Sequence, residues 1–294
     1  MLDIGGTFVK YSAVQDGVFA PPGLFPISEN GTADEIMQTI IAHLKAHPAR
    51  KIAISMPGPA DYRQGTMLMK HKFAAMYGIC LREALHKEFP EAEIAFVHDG
   101  VAFVLGEAFF GAAEGCACCA GVMLGTGLGF VLFEEGKVLS RSVLTPFMPL
   151  WNKPYQGGIA EEYVSGRGIV RRWLEMGREN ASVKDIAAMA REGDQQAADL
   201  MHETGRMLGE MLQEHLASKP VEKVVVGGQI AKAWDLMKDG YENACSIPAC
   251  PARNVEDAAL RGTYAYAQRG ESLLNICDEN ECQRSCDHEH FCLV

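Results

Sequence analysis

A chain of 294 residues is long enough for two domains, and 48% hydrophobic with 22% charged residues is a globular mix that excludes disorder and collagen-like repeats. Lys+Arg 27 against Asp+Glu 38 leaves a net charge of −11, so nothing draws the chain as a whole toward nucleic acid or an anionic membrane. Any anionic ligand must be held locally, by backbone N–H groups or a metal.

The predicted elements follow in chain order. Val9 to Val14 alternates as a strand and is closed by the hairpin signal Asp16-Gly17. Ala33 to His47 sets Ile36, Ile40, Ile41 and Leu44 on one helical face. Lys51 to Ser55 is a β-rich run ended by the loop Pro57-Gly58-Pro59. Met76 to Phe89 is predicted as a helix, Glu93 to Val97 as a strand, and the segment after His98-Asp99-Gly100 as a helix through Phe110. Gly121 to Leu124 and Phe130 to Phe133 are strands around a glycine turn, with Glu135-Gly136 as the next turn. Helices are predicted over Glu161 to Met176 and Asp194 to Leu216, the second burying Leu200, Thr204, Leu208, Met211 and Leu212. Val224 to Val226 is a strand entering Gly227-Gly228, and Glu256 to Gln268 is the last helix. Strands alternating with helices give an α/β class.

The longest uncharged window, Gly115 to Phe133, is interrupted by five glycines and reads as strand–turn–strand rather than a membrane span. No basic-then-apolar leader opens the chain, so a cytoplasmic protein with reduced thiols is expected despite ten cysteines. Cys116, Cys118 and Cys119 precede a strand and read as small buried hydrophobes. Cys277, Cys282, Cys286 and Cys292, with His288 and His290, make a cysteine-rich tail whose spacing fits no zinc module; a flexible reduced tail is expected.

The chain also repeats a local pattern. Asp3-Ile4-Gly5-Gly6-Thr7 and Leu124-Gly125-Thr126-Gly127-Leu128-Gly129 each lead into a β run and then an acidic residue-Gly turn. Two such halves could face each other across a cleft. Turns without side chains let N–H groups approach an anion, and a threonine adds a hydroxyl donor, so phosphate is the ligand these turns suit. Glycine turns also join strands everywhere; it is the occurrence of both patterns that weakens that plainer account. Asp3 suits Mg²⁺, directly or through water, or a turn cap. The absence of a G-x-x-x-x-G-K-[ST] pattern excludes a P-loop, and the hairpin signal after Gly129 excludes a Rossmann fingerprint. Asp99, between a strand and a helix, fits either a helix N-cap or a general base.

These motifs together resemble the ROK family of sugar kinases and sugar-responsive regulators, from Asp3 to about Gln268. D-I-G-G-T at Asp3–Thr7 resembles the family's first phosphate loop, Met56-Pro57-Gly58-Pro59 its sugar-side loop, and Asp99 with Leu105-Gly106-Glu107 its N-D-x-N-x-x-x-x-G-E segment. Leu124–Gly129 resembles the second phosphate loop, Glu161 in A-E-E-Y-V-S-G-R the sugar-binding Glu, and Val226-Gly227-Gly228 the adenosine-side turn. The resemblance implies two similar domains of the actin-like, ribonuclease H-like ATPase fold facing across a cleft. It implies an N-terminal domain over 1–112 joined by the helix 256–269 and a C-terminal domain over 113–255, and it leaves the cysteine-rich tail over 270–294 outside. It implies ATP and Mg²⁺ as cofactors, Asp99 as base, and Asp3, Gly5, Gly6, Thr7, Gly125, Thr126, Gly127, Gly227 and Gly228 around the nucleotide, with Asp3 toward the metal. Gly58, His98 and Glu161 would touch the sugar. A small-molecule sugar partner is expected, no nucleic acid and no membrane, and a homodimer is compatible. A non-catalytic or sugar-sensing regulator without a DNA-binding domain is the alternative.

Two departures from the family pattern bear on substrate. His98 stands where the family has a sugar-binding Asn, and Arg141 to Gly158 contains no Cys, His or Glu, so neither the E-x-G-H sugar contacts nor the zinc loop carries over. Structural zinc is expected to be absent. Trp151, Asn152 and Tyr155 occupy that stretch, to stack on a sugar or to pack a shortened loop. Free glucose is expected to be a poor substrate.

Overall fold

The computed structural model describes residues 1–70, 72–253 and 255–277. Its centre is a pair of sheets with the same design. In the first, β1 (Leu2–Ile4), β2 (Phe8–Tyr11), β3 (Gly23–Pro26), β4 (Lys51–Met56) and β5 (Glu93–His98) are ordered β3-β2-β1-β4-β5. In the second, β6 (Cys118–Leu124), β7 (Leu128–Glu134), β8 (Lys137–Ser140), β9 (Lys223–Gly227), β10 (Ala249–Pro251) and β11 (Leu274–Ile276) are ordered β10-β9-β6-β7-β8-β11. Each sheet starts at a central strand, turns back antiparallel twice, then adds two parallel strands on the other side. The repeat in the sequence is therefore a repeat in topology. Asp16-Gly17 and Glu135-Gly136 both turn with positive φ at both residues, the geometry that a right-twisted two-residue hairpin requires. The first of these closes a small ribbon, Val14–Gln15 with Val18–Phe19, outside the main sheet.

The helices are α1 (Ala33–Ala46), α2 (Leu81–Glu88), α3 (Asp99–Phe110), α4 (Glu161–Val164), α5 (Gly166–Glu175), α6 (Val183–Arg191), α7 (Gln195–His215), α8 (Trp234–Ala244) and α9 (Ala258–Arg269). Thr32 and Glu35 close a capping box on α1, which buries Ile36, Ile40 and Leu44, with Ile41 half-buried. All five residues predicted for the α7 stripe are buried. Two predicted helices are corrected. Met76 to Phe89 is a single turn at Ala74–Met76 followed by the shorter α2, because Gly78 takes a left-handed φ between them. Glu161 to Met176 is broken into α4 and α5 at Ser165, whose extended backbone lets its hydroxyl accept the Gly168 N–H.

Helices α3 and α9 cross where glycine replaces bulk. A Cβ on Gly106 would collide with the Ala258 carbonyl, and one on Gly262 with the Ala102 carbonyl. Helix α9 lies on the first sheet, whereas α3 packs on strands of both sheets. One hydrophobic cluster accordingly runs from Leu2, Ile4 and Ile54 through Val101 and Val104 to Val131, Phe133 and Val225, and a second cluster fills the opposite face of the second sheet. The buried Glu107 side chain accepts hydrogen bonds from Ala112 N (2.7 Å) and Arg253 N (3.0 Å), fastening the end of α3 to the segment after β10.

Residues 270–276, read from the sequence as the start of a tail, continue the fold: Leu274–Ile276 pairs parallel with β8, and Cys277 N donates to Ser140 O. Cys282, Cys286, His288, His290 and Cys292 lie outside the described residues. Cys118 and Cys119 are buried, and burial pushes their thiols up to about 11 and about 12. Among the described residues no helix is long and apolar enough to cross a membrane.

Candidate active site

The first glycine turn, joining β1 to β2, is closed by Gly5 N donating to Phe8 O at 3.0 Å. Gly5 and Thr7 are exposed. The turn is backed by the chain after β3, where Ile27 N and Glu29 N donate to the carbonyls of Thr7 and Gly6. The Glu29 carboxylate lies directly against Gly6, a neighbour the sequence did not signal. The second turn is one residue tighter, with Gly125 N donating to Gly127 O at 3.1 Å.

Asp3, at the end of β1, accepts a hydrogen bond from the Ser55 hydroxyl of β4 at 2.8 Å. Burial, reinforced by the nearby Asp99 charge and opposed by the Ser55 hydrogen bond and by Lys10, raises its pKa to about 6. Lys10 is paired with Asp3 across the strand ladder, but its ammonium donates to the Glu256 carbonyl (3.0 Å) and lies 3.8 Å from that carboxylate. Lys232, from beyond the Gly227-Gly228 turn, holds the same carboxylate at 2.8 Å.

Asp99 opens α3 at the C-terminal end of β5, where open α/β sheets bind ligands, and its carboxylate is 44% exposed. The Gly100 N–H is shared by Asp99 Oδ1 (2.7 Å) and His98 Nδ1 (3.0 Å). Asp99 thus keeps a capping contact and an open face together. Gly100 itself rests against Met123 and Val131 of the second sheet, so the base candidate stands at the seam between the halves. His98 is mostly buried, and burial lowers its pKa despite the neighbouring Asp99 charge. Gly58 faces this pair: a Cβ there would lie 3.5 Å from His98 Nε2 and 2.6 Å from the hydroxyl of Tyr62. Tyr62 was missed from the sequence, because its place in the site depends on the turn after Pro59 folding back beneath Gly58.

Glu161 sits on the second glycine turn. Its Oε2 accepts from Leu128 N at 2.9 Å and its Oε1 pairs with Arg167 at 2.6 Å, while Arg167 also donates to Thr126 O. Both carboxylate oxygens are therefore engaged with protein groups in this state. Gly166 N donates to Gly125 O, joining the head of α5 to the same turn. Gly125, Thr126, Gly166, Arg167, Gln229 and Ile230 line an open groove of about 870 Å³, next to which Gly228 takes φ +82° against the Leu124 carbonyl. In the stretch before Glu161, Tyr155 donates to Glu210 (2.6 Å) and packs edge-on to Tyr163, whereas Trp151 is exposed. Tyr155 thus ties its loop to α7. Asp3, Ser55, His98, Asp99 and Gly58 form one group at the first half, and Gly125–Gly127, Glu161, Arg167 and Gly228 another at the second.

The ROK family model matches residues 2–143 and 152–266. The chain belongs to the ROK family. Curated relatives include a glucokinase of Thermotoga maritima, 26% identical over 266 residues covering 80% of this chain and 83% of that one. An N-acetylmannosamine kinase of Escherichia coli is 25% identical over 295 residues, covering 92% and 98%. A ROK family glucokinase from Streptomyces griseus, solved with glucose and AMPPNP, superposes with a TM-score of 0.75 at 22% identity, covering 92% of this chain and 98% of that one. A ROK family transcriptional regulator, a homologue of the E. coli MLC protein, superposes with a TM-score of 0.76 at 21% identity, covering 91% of this chain and 76% of that one. The two matched sheets are those of the actin-like ATPase fold carried by ROK kinases.

Proposed function

We propose that the cleft transfers a phosphoryl group from ATP to a hydroxyl of a sugar or sugar derivative, with Asp99 as the general base. The observation that carries this reading is the position of Asp99. Its carboxylate is open to the cleft, with the Gly58 loop on one side and the desolvated Asp3 on the other. A sugar hydroxyl is a poor nucleophile, and a fixed carboxylate that takes its proton as the new bond forms lowers the barrier. The Gly100 N–H fixes the carboxylate and leaves its other oxygen free for that proton.

Gly5, Gly6 and Thr7 on one side, with Gly125, Thr126 and Gly127 on the other, offer N–H and hydroxyl donors to the phosphates of ATP. The groove beside Gly227 and Gly228 takes the nucleoside. Asp3 fits Mg²⁺: it is an oxygen donor in a desolvated setting, where an ion would favour the carboxylate that burial alone disfavours. Held there, the ion would offset charge on the phosphates. Glu161 and Arg167 keep the second turn in shape, and release of Arg167 would free Glu161 Oε1 for a sugar hydroxyl.

The sugar is a derivative rather than free glucose. A neutral imidazole at position 98 and the missing E-x-G-H contacts leave hydroxyls of glucose unpaired, at about 1–3 kcal/mol each. The exposed Trp151 stands free to meet a substituent. ATP turnover across glucose, N-acetylated hexosamines and β-glucosides tests both points: the derivatives should give the higher kcat/KM, and glucose in first place would reject the substrate reading. A sensor without catalysis is the second reading, supported by His98 and by the likeness to a regulator; no turnover with any of these sugars, together with sugar binding, would establish it. The body of the protein is proposed to carry no structural zinc, which elemental analysis of a chain ending near Gln268, without the cysteine-rich tail, tests.

A further inference from the structure

The ion pair between Glu161 and Arg167 is made by a break in a helix. On one continuous helix, residues six apart stand about 240° apart around the axis and do not meet. Ser165 takes an extended backbone between α4 and α5, and α5 sets off so that Arg167 reaches Glu161 Oε1 at 2.6 Å. The two ends of the pair lie in different surroundings. The Glu161 carboxylate is 21% exposed, and its Oε2 is fixed by Leu128 N at 2.9 Å. The Arg167 guanidinium is 69% exposed, lines the groove of about 870 Å³ beside Gly125 and Thr126, and donates through Nε to Thr126 O at 3.3 Å. Among the described residues its Nη1 has no partner.

One ion pair therefore joins the carboxylate read above as a sugar contact to a cation on the lip of the nucleotide groove. Each end has another use once the substrates arrive. A sugar hydroxyl can donate to Glu161 Oε1 only when Arg167 leaves it. A guanidinium presents a flat fork of N–H donors that suits phosphate oxygens, and Arg167 stands at the turn that offers its own N–H groups to those phosphates.

We propose that Arg167 is a nucleotide-binding residue that couples the two substrates, exchanging Glu161 for a phosphate of the nucleotide and so freeing Glu161 for the sugar. This rests on the kinase reading above. Whichever ligand binds first breaks the pair, and the second finds it already broken. Each substrate therefore tightens the other by the same factor, because the coupling is a single free energy. The factor cannot exceed the strength of the pair. With its carboxylate largely buried and its guanidinium largely open to water, the pair gives a coupling of about fivefold to fiftyfold.

The test is isothermal titration calorimetry on the full chain with Mg²⁺. AMPPNP is the nucleotide, and the sugar is whichever of glucose and N-acetylmannosamine the wild type phosphorylates better. Each ligand is titrated alone and with the other at saturation, in wild type, Arg167→Gln and Arg167→Lys. Wild type should show mutual tightening of about fivefold or more. In Arg167→Gln the sugar alone should bind more tightly than in wild type, because no pair has to break. With sugar present, AMPPNP should bind that variant about tenfold more weakly or worse. The mutual tightening should fall to within about twofold of none. Arg167→Lys keeps a cation able to make the same exchange and should retain part of the tightening. Independent binding in the wild type overturns the proposal, as does coupling that survives Arg167→Gln. So does weaker binding of the sugar alone by both variants, which marks Arg167 as a brace of the second turn. Phosphorylation of neither sugar by the wild type rejects the kinase reading and takes this proposal with it. Phosphorylation with independent binding rejects this proposal alone.

Discussion

The two halves of the molecule share a strand order and a glycine turn, yet they finish the turn with opposite chemistry. The first half sets carboxylates around it: Asp3, Glu29 and, from α3, Asp99. The second half satisfies the carboxylate set on its turn, Glu161, with a backbone N–H and an arginine. On the proposed reading, a repeated backbone thus carries a reacting end and a holding end. The duplicated part is the geometry that presents N–H groups, and the divergent part is the charge placed beside it.

The sharpest way to break this contrast is at the reacting end. Asp99→Asn should keep the fold and nucleotide binding while lowering kcat by about two to four decades; near-normal turnover would make Asp99 a cap and nothing more. At the holding end, Glu161→Ala removes a charge-assisted hydrogen bond to Leu128 N, so the ATP KM should rise by about tenfold to a hundredfold. Steady-state kinetics with varied ATP reads this directly, and an effect confined to the sugar KM would leave Glu161 with its proposed sugar contact alone.

The pH dependence separates the ends further. Asp3 has a folded-state pKa near 6, above its ordinary value of 3.8. Protonation should weaken Mg²⁺-dependent nucleotide use as pH falls through 6, with kcat/KM for ATP dropping about tenfold per pH unit below that point. The stability effect has the opposite sign. A raised carboxylate pKa means the folded state binds the proton more tightly, so Asp3 contributes least strain below its unfolded pKa, and the strain grows as pH rises to 6. Asp3→Asn should therefore stabilise the nucleotide-free protein at pH 7, by on the order of 1–2 kcal/mol, in denaturant titrations. The smallest effect belongs to Tyr155→Phe. Its hydroxyl donates to Glu210 of α7, away from both glycine turns, so every KM should stay within twofold.

The glycine turns, the hairpin signals and the position of Asp99 were legible in the sequence because each rests on local backbone chemistry that a few adjacent residues declare. The α7 stripe was legible by periodicity. What escaped depends on distant segments meeting. The strands Gly23–Pro26, Ala249–Pro251 and Leu274–Ile276 are short edge elements with little alternation of their own, fixed by the neighbours they pair with. Tyr62 and Glu29 join the site through loops folding back. The residues matched to Glu161 by motif were legible as a site but not as partners of Leu128 and Arg167.

The crossing of α3 and α9 bears on how such a cleft can move. A rotating body displaces each atom in proportion to its distance from the axis. The glycine contacts at Gly106 and Gly262 bring the two helices to backbone contact, and α3 is packed against both sheets, so the axle of any relative rotation runs close to it. Asp99 is the first residue of that axle. Closing would then swing the two glycine turns around a nearly stationary Asp99 carboxylate, and a base there, as proposed, would keep its aim through the whole stroke.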